Sequence, residues 1–221
     1  MHFLLEIIIP PGFDVEQSVT DILAPFDENQ NDDGGEKFWD FWVIGGRFSG
    51  NKLEQSLDSN KLEAFYAELE NRKVTVSGVQ CGKQELSPAS QIPDVDALWR
   101  DMFPESGVSV CPLFNHSNNQ YDSKSNLPGD ISTLSELPDG YTCSRLITAK
   151  PHWQNKGKLE AGFMLSDSIW NGVNHVKSVW DGSVSHGLQL LSEHAKMYKE
   201  EYREKMTPKD DWLVITVDYH S

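Results

Sequence analysis

The chain has 221 residues, 38% of them hydrophobic and 10% aromatic, a composition that supports a soluble globular core and excludes a disordered polymer. Nineteen Lys and Arg against 34 Asp and Glu leave a net charge of −15, which disfavours nonspecific attraction to nucleic acid or an anionic membrane. No apolar run reaches the roughly 18 residues of a membrane helix. The apolar residues 4–9 are interrupted by Glu6 and lack both a basic region and a small-residue cleavage site, so the expected location is the cytoplasm.

Residues 2–9 read as a β-strand closed by Pro10-Pro11-Gly12, which cannot continue a ladder. Asp14 stands where a helix N-cap would, with Gln17 three residues on. Val15, Val19, Ile22 and Leu23 follow at helical spacing until Pro25. Residues 27–37, acidic and rich in Asn and Gly, predict a mobile loop. Strand composition returns over 38–44, and Gly45-Gly46 bends the chain. A second helix is expected over 60–71, β-like sequence over 74–79, and a short helix over 94–102 that stops before Pro104.

Residues 112–140 are rich in Asn, Ser, Asp, Pro and Gly, the composition of a long surface loop or insertion. Residues 143–150 and 162–165 resume strand character around a turn at 153–158. The strongest helical pattern covers 187–205, where Leu188, Leu191, Ala195, Tyr198 and Tyr202 form an apolar stripe ended by Thr207-Pro208. Residues 211–220 make a final strand. Without a repeat or a clean linker, a single domain over 1–221 is expected. The order of elements implies an α+β fold, a mainly antiparallel sheet with helices on one face. A ferredoxin-like arrangement with a long insertion is one form of it.

Cys81, Cys111 and Cys143 are odd in number and lack any Cys-x-x-Cys pair, which fits reduced thiols better than disulfides or a structural metal. The sequence implies no metal ligand set and names no cofactor.

Two segments carry candidate chemistry. Residues 39–50, Trp-Asp-Phe-Trp-Val-Ile-Gly-Gly-Arg-Phe-Ser-Gly, combine aromatic area, a glycine pair and an arginine. Trp39, Asp40 and Trp42 would line a pocket wall, with Gly45, Gly46 and Arg47 holding an anion. A buried strand with a tight turn and a structurally paired Arg47 accounts for the same residues. No Walker-type or dinucleotide fingerprint accompanies the block. At the other end, strand alternation puts Trp212, Val214, Thr216, Asp218 and His220 on one face. Asp218 beside His220 is the arrangement in which a carboxylate orients an imidazole for catalysis. The first strand has a comparable face of His2, Leu4, Glu6 and Ile8, so pairing of the terminal strands would gather His2, Glu6, Asp218 and His220 into one polar cluster.

The block at 39–50 resembles the aromatic-Asp-aromatic-aromatic-x-Ile-Gly-Gly-Arg-Trp-x-Gly block of a poorly characterised group of phage and bacterial proteins. Gly162-Phe163-Met164 and Val217-Asp218-Tyr219-His220 match that group's Gly-aromatic-Met segment and its terminal Val-Asp-Cys-His strand. Phe48 stands for the usual Trp and Tyr219 for the Cys, so no mechanism through that cysteine is implied. The resemblance implies convergence of the three blocks on one site and names no ligand. The leading functional expectation is binding of a small anionic molecule, nucleotide-like or bearing phosphate or carboxylate, by a protein encoded by a phage or mobile element. The alternatives are a hydrolase using the Asp218–His220 pair, with or without a metal, and an acidic module that binds or inhibits a protein partner. Direct nucleic-acid or membrane binding is not expected.

Overall fold

The computed structural model describes residues 2–29, 39–71, 95–106, 111, 129–151, 157–166 and 182–220. The β-like sequence at 74–79, most of the loops expected over 27–37 and 112–140, and the turn at 153–156 lie outside the described residues. The chain divides into two compact units, Met1–Val43 with Ile131–Ser221, and Ile44–Asp130.

The first unit is α+β. Strand β1 (His2–Ile9) leads to helix α1 (Val15–Leu23), whose N-cap is Asp14 with its carboxylate accepting the Gln17 N–H at 2.8 Å. Val19, Ile22 and Leu23 are buried, and Pro25 falls in a 3-10 turn, Ala24–Phe26, that closes the helix. Strand β2 (Phe41–Ile44) follows. After the second unit come β3 (Ile131–Thr133), β4 (Arg145–Pro151) and β5 (Leu159–Ser166).

The sheet runs β2-β6-β1-β4-β5, where β6 is Leu213–His220 and β3 also pairs with β6. It is mainly antiparallel, with β1 parallel to β4. That pair separates it from a ferredoxin-like sheet, where a hairpin strand would lie between the two strands joined by the first helix. Here β4 is the direct neighbour of β1 and β5 takes the edge. Leu4 to Ile9 are buried without alternation, so both faces of the central strand are covered rather than one.

Three local expectations change. The helix expected over 187–205 is two, α5 (Val184–Ala195) and α6 (Glu200–Met206). Tyr198 leaves the helical path with its ring centroid 5.6 Å from that of Phe163 on β5, and the Arg203 guanidinium donates to the carbonyls of Lys196 and Tyr198. The break thus receives the donors that a helix end needs. The last part of the 112–140 excursion is structured: Asp130 is buried and β3 is a strand. A short helix at 51–56, not anticipated from the sequence, belongs to the second unit.

The described part of that unit is helical: α2 (Asn51–Ser56), α3 (Ser59–Asn71) and α4 (Val95–Met102). Phe65, Leu69, Val95, Leu98, Trp99, Phe103 and Cys111 form its core, with the Phe65 ring edge-on to both Trp99 and Phe103.

In β5 the pairing skips Gly162: Phe163 faces Thr148 and Ala161 faces Ala149. A Cβ on Gly162 would lie 2.9 Å from the Thr148 carbonyl oxygen, so the bulge is built on the missing side chain. Gly162→Ala is expected to cost roughly 1–3 kcal/mol in urea unfolding; an unchanged midpoint would show that the bulge relaxes freely.

Candidate functional site

The antiparallel register of β1 and β6 sets His2 opposite His220, Leu4 opposite Asp218 and Glu6 opposite Thr216. Residues two apart share a face, so the polar side chains expected to cluster do lie on one face. His2 Nδ1 is 2.7 Å from the Asp218 carboxylate, a diagonal cross-strand contact. His220 Nδ1 is 2.8 Å from the Asp40 carboxylate, and the Asp40 N–H donates to the His220 carbonyl at 3.2 Å. The two imidazole centroids are 5.0 Å apart with the rings tilted by 59°.

Burial grades along this face. Asp40 and His220 are well exposed, with 48% and 40% of their side chains accessible. His2 retains 12% and Asp218 3%. Glu6 is fully buried and accepts hydrogen bonds from the Tyr141 hydroxyl at 2.6 Å and the Thr216 hydroxyl at 2.9 Å. A buried carboxyl needs such donors.

A carboxylate can only accept, so each Asp holds the proton on its partner's Nδ1 and leaves Nε2 with a lone pair in the neutral ring. Two oriented imidazoles are therefore supplied side by side. Among the described residues no group of three or more His, Cys, Asp or Glu is placed to hold a metal. The hydrogen bond from His220 holds the Asp40 carboxyl below its ordinary value. The pairing differs from the expected Asp218–His220: Asp218 is bound to His2, which the sequence shows only as a member of a polar face, and His220 is bound to Asp40. The signal for His2 was the matched parity of the two terminal strands.

The opposite face of the same strands is apolar. Tyr219 is buried, stacked on Phe3 and edge-on to Trp39, with the Arg145 guanidinium over both Phe3 and Tyr219. Trp39, expected as a pocket wall, is 1% exposed and also meets Phe26. It is a core residue. Trp42 is half-buried.

Gly45, Gly46 and Arg47 belong to the second unit, where Arg47 is half-buried in a short 3-10 turn, Gly46–Phe48. The turn wraps an internal anion. The buried Asp130 carboxylate accepts from the Ser49 hydroxyl at 2.6 Å and the Gly50 N–H at 3.0 Å, while the buried Lys52 ammonium donates to the Asp130 carbonyl. Gly45 has φ of 74°, and a Cβ there would sit 2.5 Å from that carboxylate. These contacts fasten the first residues of the unit to its last.

Asp130→Ala leaves two donors without their acceptor and is expected to destabilise the second unit by about 2–3 kcal/mol. Gly45→Ala destabilises it separately. In the double variant the two costs add to less than their sum, because the clash goes with the carboxylate; strict additivity in urea unfolding would remove the clasp. For Asp40, a native value below the unfolded one means that its pairing stabilises the fold above the ordinary carboxylate range. That contribution is lost as pH falls through the native value. In His220→Ala the Asp40 carboxyl should titrate at higher pH by carbon-13 NMR, and an unmoved curve would deny the coupling. Comparison of the chain with protein families, curated proteins and solved structures returns no match.

Proposed function

We propose that the first unit carries an acid–base hydrolase site for a small anionic molecule, formed by His2–Asp218 and His220–Asp40. One observation carries this reading: two imidazoles, each backed through Nδ1 by its own carboxylate, stand 5.0 Å apart on one face of a paired strand end. A carboxylate behind an imidazole fixes its tautomer and supports the imidazolium that forms when the ring takes a proton. With Nε2 as the working atom, one ring removes a proton and the other supplies one. A protonated ring also attracts an anionic substrate, so binding and catalysis draw on the same groups.

Asp40 comes from the first of the three sequence blocks and Asp218 and His220 from the last. The resemblance of those blocks to the phage and bacterial group supports a common site and an origin in a phage or mobile element. Arg47 is not needed for this reading, which rests on the first unit alone.

The test uses chromogenic carboxylic and phosphoric esters with the wild type, His220→Ala and His2→Gln. Either substitution should lower kcat/KM by about 100-fold or more with the thermal transition retained. Turnover that persists unchanged in both variants would sink the proposal.

A further inference from the structure

Resting on that reading, we infer that the substrate is a small phosphate ester, held at the Nε2 edges of the adjacent His2 and His220 rings and cleaved by their simultaneous action as base and acid. The number of oriented imidazoles distinguishes the reaction classes. Acyl transfer through a triad needs one imidazole, which serves a hydroxyl or thiol nucleophile and then the leaving group in turn. Here each ring has a separate carboxylate. The hydroxyls of Tyr141 and Thr216 on this face both donate to Glu6.

Two independent rings fit a reaction in which proton removal and proton delivery occur at two oxygens at once. Phosphoryl transfer has that form, because the attacking and leaving oxygens are roughly in line on opposite sides of phosphorus. One neutral ring takes a proton at Nε2 from water as the water oxygen bonds to phosphorus. The other, protonated at Nε2, gives its proton to the leaving oxygen as the second P–O bond breaks. An alcohol and a phosphate with one ester bond fewer result, and the rings recover their protons by exchange with solvent. No oxidant or reductant is involved.

Charge sets the size of the substrate. A net −15 repels a polyanion over its whole length, whereas a compact ester meets a smaller part of that charge, the two rings with their Asp40 and Asp218 carboxylates. Access comes from the exposed side, His220 and Asp40, since His2 and Asp218 are nearly buried.

The experiment follows the ring proton resonances of His2 and His220 during addition of inorganic phosphate, together with hydrolysis of bis(4-nitrophenyl) phosphate and 4-nitrophenyl acetate. Phosphate is expected to move both rings in the wild type and to move His2 much less in His220→Gln. Phosphodiester hydrolysis should fall about 100-fold or more in His220→Gln and again in His2→Gln, both checked for an intact fold by circular dichroism. Acetate hydrolysis dependent on both histidines, with phosphate leaving the rings unmoved and the diester uncleaved, would overturn the phosphate ester while keeping the acid–base site. Absence of histidine-dependent hydrolysis of either substrate would overturn both.

Discussion

The pairing of β1 with β6 is the constraint on which the rest of the first unit depends. It joins residues more than two hundred positions apart, and its register decides which side chains meet. A slip of one residue would turn Asp218 and His220 toward the face that holds Phe3, Tyr219 and Arg145. The Asp218 carboxylate would then face an aromatic core while Tyr219 faced His2. The stacked Phe3 and Tyr219 rings, 5.3 Å apart under the Arg145 guanidinium, hold the apolar face in register. The Glu6–Thr216 and His2–Asp218 hydrogen bonds hold the polar one. Each face makes the wrong register costly through a different interaction, burial of a charge on one side and loss of aromatic area on the other.

Along the polar face the same spacing of two residues gives three environments. The Asp40–His220 pair at the strand end is exposed, His2–Asp218 is mostly buried, and Glu6 lies fully inside with Tyr141 and Thr216. Glu6 Oε1 accepts from the Tyr141 and Thr216 hydroxyls, and the Asp218 carboxylate is bound to His2, all within the first unit. A constellation built on the end of a paired strand, with a carboxylate bound to each imidazole, has the fixed geometry that the proposed acid–base chemistry would use. Tyr219 shows how cleanly the faces separate. Although it sits between Asp218 and His220 in sequence, it belongs to the core, and the tyrosine at that position leaves the polar face untouched.

Strand parity was legible because a period of two needs no tertiary information; the face of His2, Glu6, Asp218 and His220 follows from it once the strands pair. The partner of His220 was not legible. Asp40 reaches it through the β2 segment from 180 residues away, and no local pattern announces such a contact. The Gly-Gly-Arg block shows the converse. Its glycines and hydroxyl are what an anion site requires, and an anion is there, but it is the chain's own Asp130, 80 residues beyond Gly50. Local chemistry specified the kind of partner without specifying its source. Helix α2 was too short to show periodicity, and the break between α5 and α6 carries no Gly or Pro. It comes from Tyr198 reaching Phe163, a tertiary contact that periodicity cannot register.

Burial also differs between the two paired rings. Asp218 is nearly closed off from water, which strengthens its hold on the His2 imidazole relative to an exposed pair. Asp40 makes the equivalent bond to His220 in solvent, where it is screened. Two rings of the same chemistry thus stand in unequal surroundings. The asymmetry arises from the fold itself. β6, which carries Asp218, lies inside the sheet between β2 and β1, whereas Asp40 stands just before β2, the terminal strand of the sheet path. One carboxylate arrives from a core strand and the other from the margin of the sheet.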